Sequence, residues 1–259
     1  MKDLKDYISD IIAIKPELLI EFIKICIDSI ESTDSELTFF REYFQELTSY
    51  LNGLHSRIYF SSRFKEIHAK PKINFYAGCC ELGDFFVIVK YYHNDKLLKR
   101  KLVIYQFKYS KENSNFKIDQ KQQQLLSEWP EFSFGKKDFG TNTFNLHNNS
   151  NDLGSYCFVN KNVKNISVCQ SVFLDGRKSI GHKELCGIFP YFLPNSIFLQ
   201  IIDKYGEDVY EKTPLSDFVD TLYRYMEWEK DPPNEFGEYM TTEEGESFFG
   251  VEIVVSAQG

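Results

Sequence analysis

The chain is short of several features that usually announce a function. Its 259 residues include six cysteines but no Cys-x-x-Cys pair. That argues against a zinc site and a disulfide scaffold, and fits a reducing compartment. Adjacent Cys79 and Cys80 read as small strand or turn residues. No apolar run reaches the ~20 residues of a membrane span. The opening Met1-Lys-Asp-Leu-Lys-Asp-Tyr7 has no apolar stretch with a small-residue cleavage site, so it does not read as a secretory leader. A cytoplasmic protein with no membrane partner is expected. No Gly-rich loop ends in Gly-Lys-Ser/Thr and no Gly-x-Ser-x-Gly elbow is present, which disfavours NTPase and α/β-hydrolase chemistry. The five histidines, at 55, 68, 93, 147 and 182, lack metal-ligand spacing.

Aromatics are plentiful instead. With 24 Phe and 16 Tyr the chain can bury a proper core, and disorder is not the default. The net charge of −8 is unevenly spread. Residues 90–140 hold 11 Lys/Arg against 6 Asp/Glu, whereas residues 203–259 hold 4 against 15. Overall acidity is awkward for a phosphate-binding protein. The asymmetry predicts one face for a polyanion and another for a different purpose.

The most informative stretch runs from Glu81-Leu-Gly-Asp84 to Gln106-Phe-Lys108. β-Branched and aromatic residues fill 85–92 and 97–105, with His93-Asn-Asp95 between them, which predicts a hairpin. With the turn centred near 95 or 96, Asp84 lies opposite Gln106 or Lys108. All three numbers are even, so period-2 alternation puts their side chains on one face. A carboxylate, a carboxamide and an ammonium then meet at the open end of the hairpin. Mg2+ takes hard oxygen ligands, with one or two carboxylates from the protein. Asp84 can supply one and Glu81 another, while Gln106 and the Phe107 backbone carbonyl add neutral oxygens. Lys108 can stabilise developing negative charge or orient a water. The plainer reading is a hairpin rim with ordinary charged residues.

Asp, a gap, then Gln-x-Lys resembles the active site of the PD-(D/E)XK nuclease superfamily, closest to the Gln variant of Mrr-like restriction enzymes. The resemblance covers roughly residues 70–165. It implies Asp84 as metal-binding acid, Gln106 at the (D/E) position, Lys108 as the lysine assisting the attacking water, and Mg2+ (or Mn2+) as cofactor. Two departures stand out: Gly83 rather than Pro precedes Asp84, and Gln106 brings no charge. In that superfamily a helix before the first core strand often adds a Glu to the metal site. By position the candidate here is Glu66, against the plainer reading of a solvated carboxylate at a helix end.

Around this centre, residues 1–68 read as an N-terminal helical segment. Leu4, Ile8, Ile11 and Ile12 share one helix face. Residues 18–30 are apolar on more than one side, which predicts a sandwiched helix or a partner surface. Thr33-Asp-Ser-Glu36 fits a capping box for the next helix, and residues 55–68 are less clear. Residues 69–165 read as the nuclease-like α/β core. It has a first short strand at 72–76, the hairpin, a helix over 117–129 stopped by Pro130, and a fourth strand at 156–159. Lys111, Lys117, Lys121, Gln122 and Gln124 on and before that helix are candidates to touch a nucleic acid, although a solvated face is the plainer account. Residues 166–259 read as a C-terminal extension packed on the core, with a strand at 168–174, a helix opened by Thr213-Pro214 and a strand over 247–256. The fold class expected is α/β (α+β), a restriction-endonuclease-like core whose mixed sheet is flanked by helices.

The expected function is a Mg2+-dependent endonuclease acting on DNA, by family analogy an effector of bacterial restriction or anti-phage defence. A homodimer or a partner protein of a defence system is compatible with the oily second helix. The alternative is a catalytically inactive nuclease-fold scaffold, motivated by the missing second carboxylate. An inhibitor using its acidic tail as a phosphate mimic ranks last, because it leaves the hairpin cluster unexplained.

Overall fold

Local hydrogen bonding sets the first two helices, α1 (Lys15–Ser32) and α2 (Glu36–Gly53). Thr33 donates its hydroxyl back to the Ser29 carbonyl at the end of α1 (2.6 Å). The cap of α2 is therefore Ser35, which accepts from the Thr38 amide while the Thr38 hydroxyl accepts from the Ser35 amide. The capping box lies two residues downstream of the one expected from Thr33 and Glu36. Glu36 is thereby left out of the cap.

The computed structural model describes residues 15–54, 58–68, 70–93, 96–112, 115–135, 142–147, 152–181, 183–185, 191–228 and 247–257. The expected helix face at Leu4–Ile12 lies outside them. After α2 come β1 (Tyr59–Ile67), β2 (Lys72–Phe75), β3 (Gly78–Glu81), β4 (Phe85–His93), β5 (Lys96–Ser110) and β6 (Phe116–Lys117). Then follow α3 (Gln120–Glu128), β7 (Phe132–Phe134), β8 (Thr143–Phe144), β9 (Gly154–Asn160), β10 (Asn165–Gln170), β11 (Ser179–Ile180) and β12 (Tyr191–Phe192). The chain continues through α4 (Leu193–Ile201), β13 (Glu207–Val209), α5 (Pro214–Tyr225) and β14 (Phe248–Ala257).

Strands in the order β1-β14-β4-β5-β9-β10-β12 form one mixed sheet, with β13 paired to β5. β14 runs parallel to β4, and β9 runs parallel to β5 after the α3 crossover. Helices flank both faces. Odd-numbered residues of β4 and β5, such as Phe85, Val87, Val103 and Tyr105, pack with α1, α2 and α4. Even-numbered ones, such as Phe86, Ile88, Leu102 and Ile104, pack with α3, α5 and a small sheet ordered β3-β2-β7-β8.

Several expectations need correction. Residues 59–67 are strand, not helix: Phe60 and Ser62 are buried alternately and β14 pairs with all nine residues. The strand at 72–75 belongs to the small sheet and not to the main one. The C-terminal strand is inserted between β1 and β4, so strands from 59–67, 85–110, 154–170 and 248–257 share one sheet. At 168–174 the strand ends at Gln170, and Ser171–Leu174 is a 3-10 turn.

The charge asymmetry also resolves differently. Lys99 and Lys101 each bridge Asp203 and Asp208, Arg100 lies 3.8 Å from Asp220, and Lys90 pairs with Glu252 at 2.6 Å. Much of the basic stretch meets the acidic C-terminal region across the fold instead of forming an opposite face. Pairing of opposite charges offsets their desolvation where the strands bring them together.

Candidate functional site

Of the two hairpin registers expected, the one with Asp84 opposite Gln106 forms. Phe85 pairs with Tyr105, and a bulge between Tyr91 and Tyr92 absorbs the turn. One step further along the ladder, Asp84 faces Gln106. The Asp84 amide donates to the Tyr105 carbonyl (2.8 Å) and its carbonyl accepts from the Phe249 amide (3.0 Å), so its backbone is clamped between β5 and β14. Gly83 permits this approach. A Cβ there would lie 2.8 Å from the Tyr105 carbonyl oxygen and 3.0 Å from Ile104 Cγ2. The glycine before Asp84 thus has a steric reason.

The Asp84 side chain is 1 % exposed. Its Oδ2 accepts from the Phe107 amide (2.6 Å) and from Gln106 Nε2. The carboxylate here takes an amide that β4 has run out of backbone to satisfy. Gln106 Nε2 also reaches the Phe107 carbonyl at 3.2 Å. Gln106 Oε1 is buried with no hydrogen-bond partner among the described residues.

Two residues that bear on this cluster escaped the sequence, one touching Asp84 and one felt through its charge. Lys70 Nζ is 2.5 Å from Asp84 Oδ1 and 3.3 Å from Glu81 Oε2. It comes from the small sheet: Lys72 pairs with Glu81, and Leu82 donates to the Pro71 carbonyl, so the next step brings Lys70 alongside Gly83. The second is Glu36, in the first turn of α2 and half-buried. Phe39 and Phe40, one turn on, hold that helix end over Phe107, with ring centroids 5.6 and 4.3 Å away. Burial, then the charge of Asp84, push the Glu36 carboxyl up to about 8 against the pull of Lys70 and Lys108. Burial likewise raises Asp84 above the usual carboxylate range, although Lys70 and the Phe107 amide oppose it. A Glu opening a helix is legible as a residue, but Thr33 and Glu36 suggest a cap two positions early and hide that its charge meets that of Asp84.

The other candidates fall out as follows. Lys108 is half-buried on β5, paired by its backbone to β9, and its ammonium has no ion-pair or hydrogen-bond partner among the described residues. Glu81 is held by Lys72 (2.8 Å) as well as Lys70, and these lysines outweigh its burial to keep it below the ordinary value. Glu66 sits on β1 and not on a helix. Arg41 grips both of its oxygens (2.7 and 2.9 Å) and Ser247 donates a third bond (2.7 Å), so it is committed elsewhere. Lys111, Lys117 and Lys121 are exposed. Gln122 is buried and donates to the Glu81 carbonyl (3.3 Å), while Gln124 donates to Tyr76 and Glu128. Both glutamines thus brace α3 against the β2–β3 hairpin and do not face solvent as free amides.

Among the described residues, no group of three His, Cys, Asp or Glu side chains is gathered tightly enough to hold a metal ion. The oxygens at hand are the Asp84 carboxylate, the orphaned Gln106 amide oxygen and the Phe107 carbonyl, and Gln106 turns its amide nitrogen, not that oxygen, toward the other two. All are hard oxygens, and among the described residues the buried orphan meets no donor. That set suits a Mg2+ ion that keeps several waters. The obstacle is the ammonium already on Asp84. No protein-family model, curated protein or solved structure matches this chain.

Proposed function

We propose that the chain is a Mg2+- or Mn2+-dependent nuclease acting on DNA, with its reaction centre at Asp84, Gln106 and Lys108. The observation that carries this is the pairing of Asp84 with Gln106 at the end of β4, beside an acid and an unpaired lysine. Asp84 and the Phe107 carbonyl would hold the ion together with Gln106 Oε1 once the Gln106 amide turns over, and Glu36, which feels the Asp84 charge, is the further acid. Bound there, such an ion shields phosphate oxygens and lowers the pKa of a water. Asp84 is oriented for this by the Phe107 amide. Glu36, pushed up to about 8, exchanges its proton near neutrality, as a general acid or base must. Lys108 offers an ammonium for charge developing on the phosphate. Exposed Lys111, Lys117 and Lys121 supply phosphate-neutralising charge nearby in sequence. A role in restriction or anti-phage defence, with a second copy or a partner protein, remains the biological setting inferred from the resemblance.

The test is cleavage of duplex DNA by the full chain with Mg2+ or Mn2+. Cleavage that disappears in Asp84→Asn and Lys108→Ala, while both variants unfold cooperatively, supports the proposal. No cleavage by the unaltered chain with either ion counts against it. A second reading, a nuclease-fold scaffold without catalysis, is favoured by one observation: Lys70 already neutralises Asp84. That reading expects no Mn2+ uptake at all.

A further inference from the structure

Lys70 raises a question that the ion site by itself does not answer. Its ammonium lies 2.5 Å from Asp84 Oδ1, the one carboxylate oxygen that no backbone or amide donor takes. An ion at a Mg–O distance of about 2.1 Å on that oxygen would be thrust against a like charge in a site shielded from water. The two cations exclude each other. Lys70 also has somewhere to go: Glu81 Oε2 is 3.3 Å from the same nitrogen, and Lys72 holds Glu81 through its other oxygen at 2.8 Å. The backbone at 71 is fixed by its bond with Leu82, so only the side chain of Lys70 need move.

We propose that Lys70 is a built-in cation that occupies the divalent ion's place on Asp84 and withdraws onto Glu81 when the ion enters. Glu81 is then the resting post of Lys70 and not a ligand of the ion. Ion uptake is set by competition with this ion pair, so the chain is silent until the divalent ion is abundant enough to displace its own lysine. This rests on the ion-site reading above, and extends it to what controls occupancy.

The experiment is calorimetric titration of Mn2+ into the full chain and into Lys70→Met, Glu81→Gln and Asp84→Asn, with no substrate present. Lys70→Met keeps the length of the side chain and removes the charge. It is expected to bind Mn2+ at least about tenfold tighter than the unaltered chain, the scale on which a neighbouring unit charge shifts an ionic equilibrium. Glu81→Gln, which removes the post, is expected to weaken Mn2+ binding while Lys70 is present. The same change made in Lys70→Met is expected to have no effect. Should Lys70→Met unfold, the Glu81→Gln arm alone decides. Mn2+ binding that needs Asp84 but is equal or weaker in Lys70→Met, or unchanged in Glu81→Gln, overturns the competition and leaves the ion site standing. Absence of Asp84-dependent binding in every variant overturns the ion site, and the competition with it.

Discussion

Two buried carboxylates lie in the same sheet, and they are treated in opposite ways. Glu252, on β14, is 2 % exposed and meets Arg63 (2.9 Å), Lys90 (2.6 Å) and the Tyr223 hydroxyl. Trp228 covers Arg63 at 4.7 Å and Tyr223 covers Lys90 at 4.6 Å, so the cations are themselves packed. Burial pushes Glu252 up, but Lys90 and Arg63 outweigh it and hold the carboxyl below its ordinary value. Among the described residues Asp84 has one direct cation, Lys70, and an orphaned amide oxygen beside it, and burial holds its carboxyl above the ordinary value. Glu252 is what a structural ion cluster looks like in this fold: cations outnumber acids and the charged state is the stable one. Asp84 lies where burial outweighs its cations, Lys70 and Lys108, and charge is disfavoured. Such mismatched surroundings mark sites of chemistry more often than sites of pure scaffolding.

The largest effect expected from this contrast is on stability. Glu252→Gln leaves Arg63 and Lys90 buried without a counter-charge, and is expected to lower the unfolding free energy by roughly 3–5 kcal/mol. Asp84→Asn neutralises a group whose folded state already disfavours charge, and is expected to cost no more than about 1 kcal/mol. Denaturant unfolding of both measures the difference. Equal losses would erase the distinction between the two clusters.

Gly83→Ala comes next. A methyl 2.8 Å from the Tyr105 carbonyl forces the 82–84 link away from β5, with an expected cost of about 1–3 kcal/mol. Unlike Asp84→Asn, it is expected to lose stability and cleavage together, because it moves the Asp84 side chain off the Phe107 amide. Retained stability with retained cleavage would mean that the close approach is not needed.

What the sequence revealed of this site follows from how local the information is. The hairpin is local: alternation and one turn narrow the residue facing Asp84 to Gln106 or Lys108, and the pairing of Phe85 with Tyr105 selects Gln106. Lys70 arrives from another sheet, through a ladder that begins at residues 72 and 81, and no period in the chain announces that arrival. Glu36 was hidden by a choice between two hydroxyls, Thr33 and Ser35, that depends on which carbonyl at the end of α1 Thr33 finds. The placement of β14 between β1 and β4 is a pairing across some 160 residues. Its apolar run predicted a strand but carried no signal of its neighbours.

The two acids also differ in the sign of their pH dependence. For Glu36 the folded value, about 8, lies above the ordinary 4.5. Its contribution to stability is complete below pH 4.5 and is lost as pH rises through about 8. For Glu252 the folded value is depressed, so its contribution is present above 4.5 and is lost as pH falls through the folded value. Glu36→Gln is therefore expected to leave stability unchanged near pH 4 and to raise it above pH 8. The gain is on the order of 1 kcal/mol, since solvent reaches this half-buried side chain. Thermal melts across pH 4–9 measure it. A gain that is equal at both ends would remove the claim that Glu36 and Asp84 burden each other.

The smallest effect separates the two candidates for the additional acid. Glu66 is fastened by Arg41 and Ser247 on β1, partly open to water, and has no bond to Asp84 or Lys70. Glu66→Gln keeps an acceptor for Arg41 and is expected to cost about 1 kcal/mol or less. It should leave Mn2+ affinity within about twofold of the unaltered chain, whereas Glu36→Gln weakens it because Glu36 stands beside Asp84. Calorimetry on the two variants decides between them. If Glu66→Gln abolished uptake and Glu36→Gln did not, the acid supplied to the site would come from β1, and the downstream shift of the α2 cap would have no bearing on function.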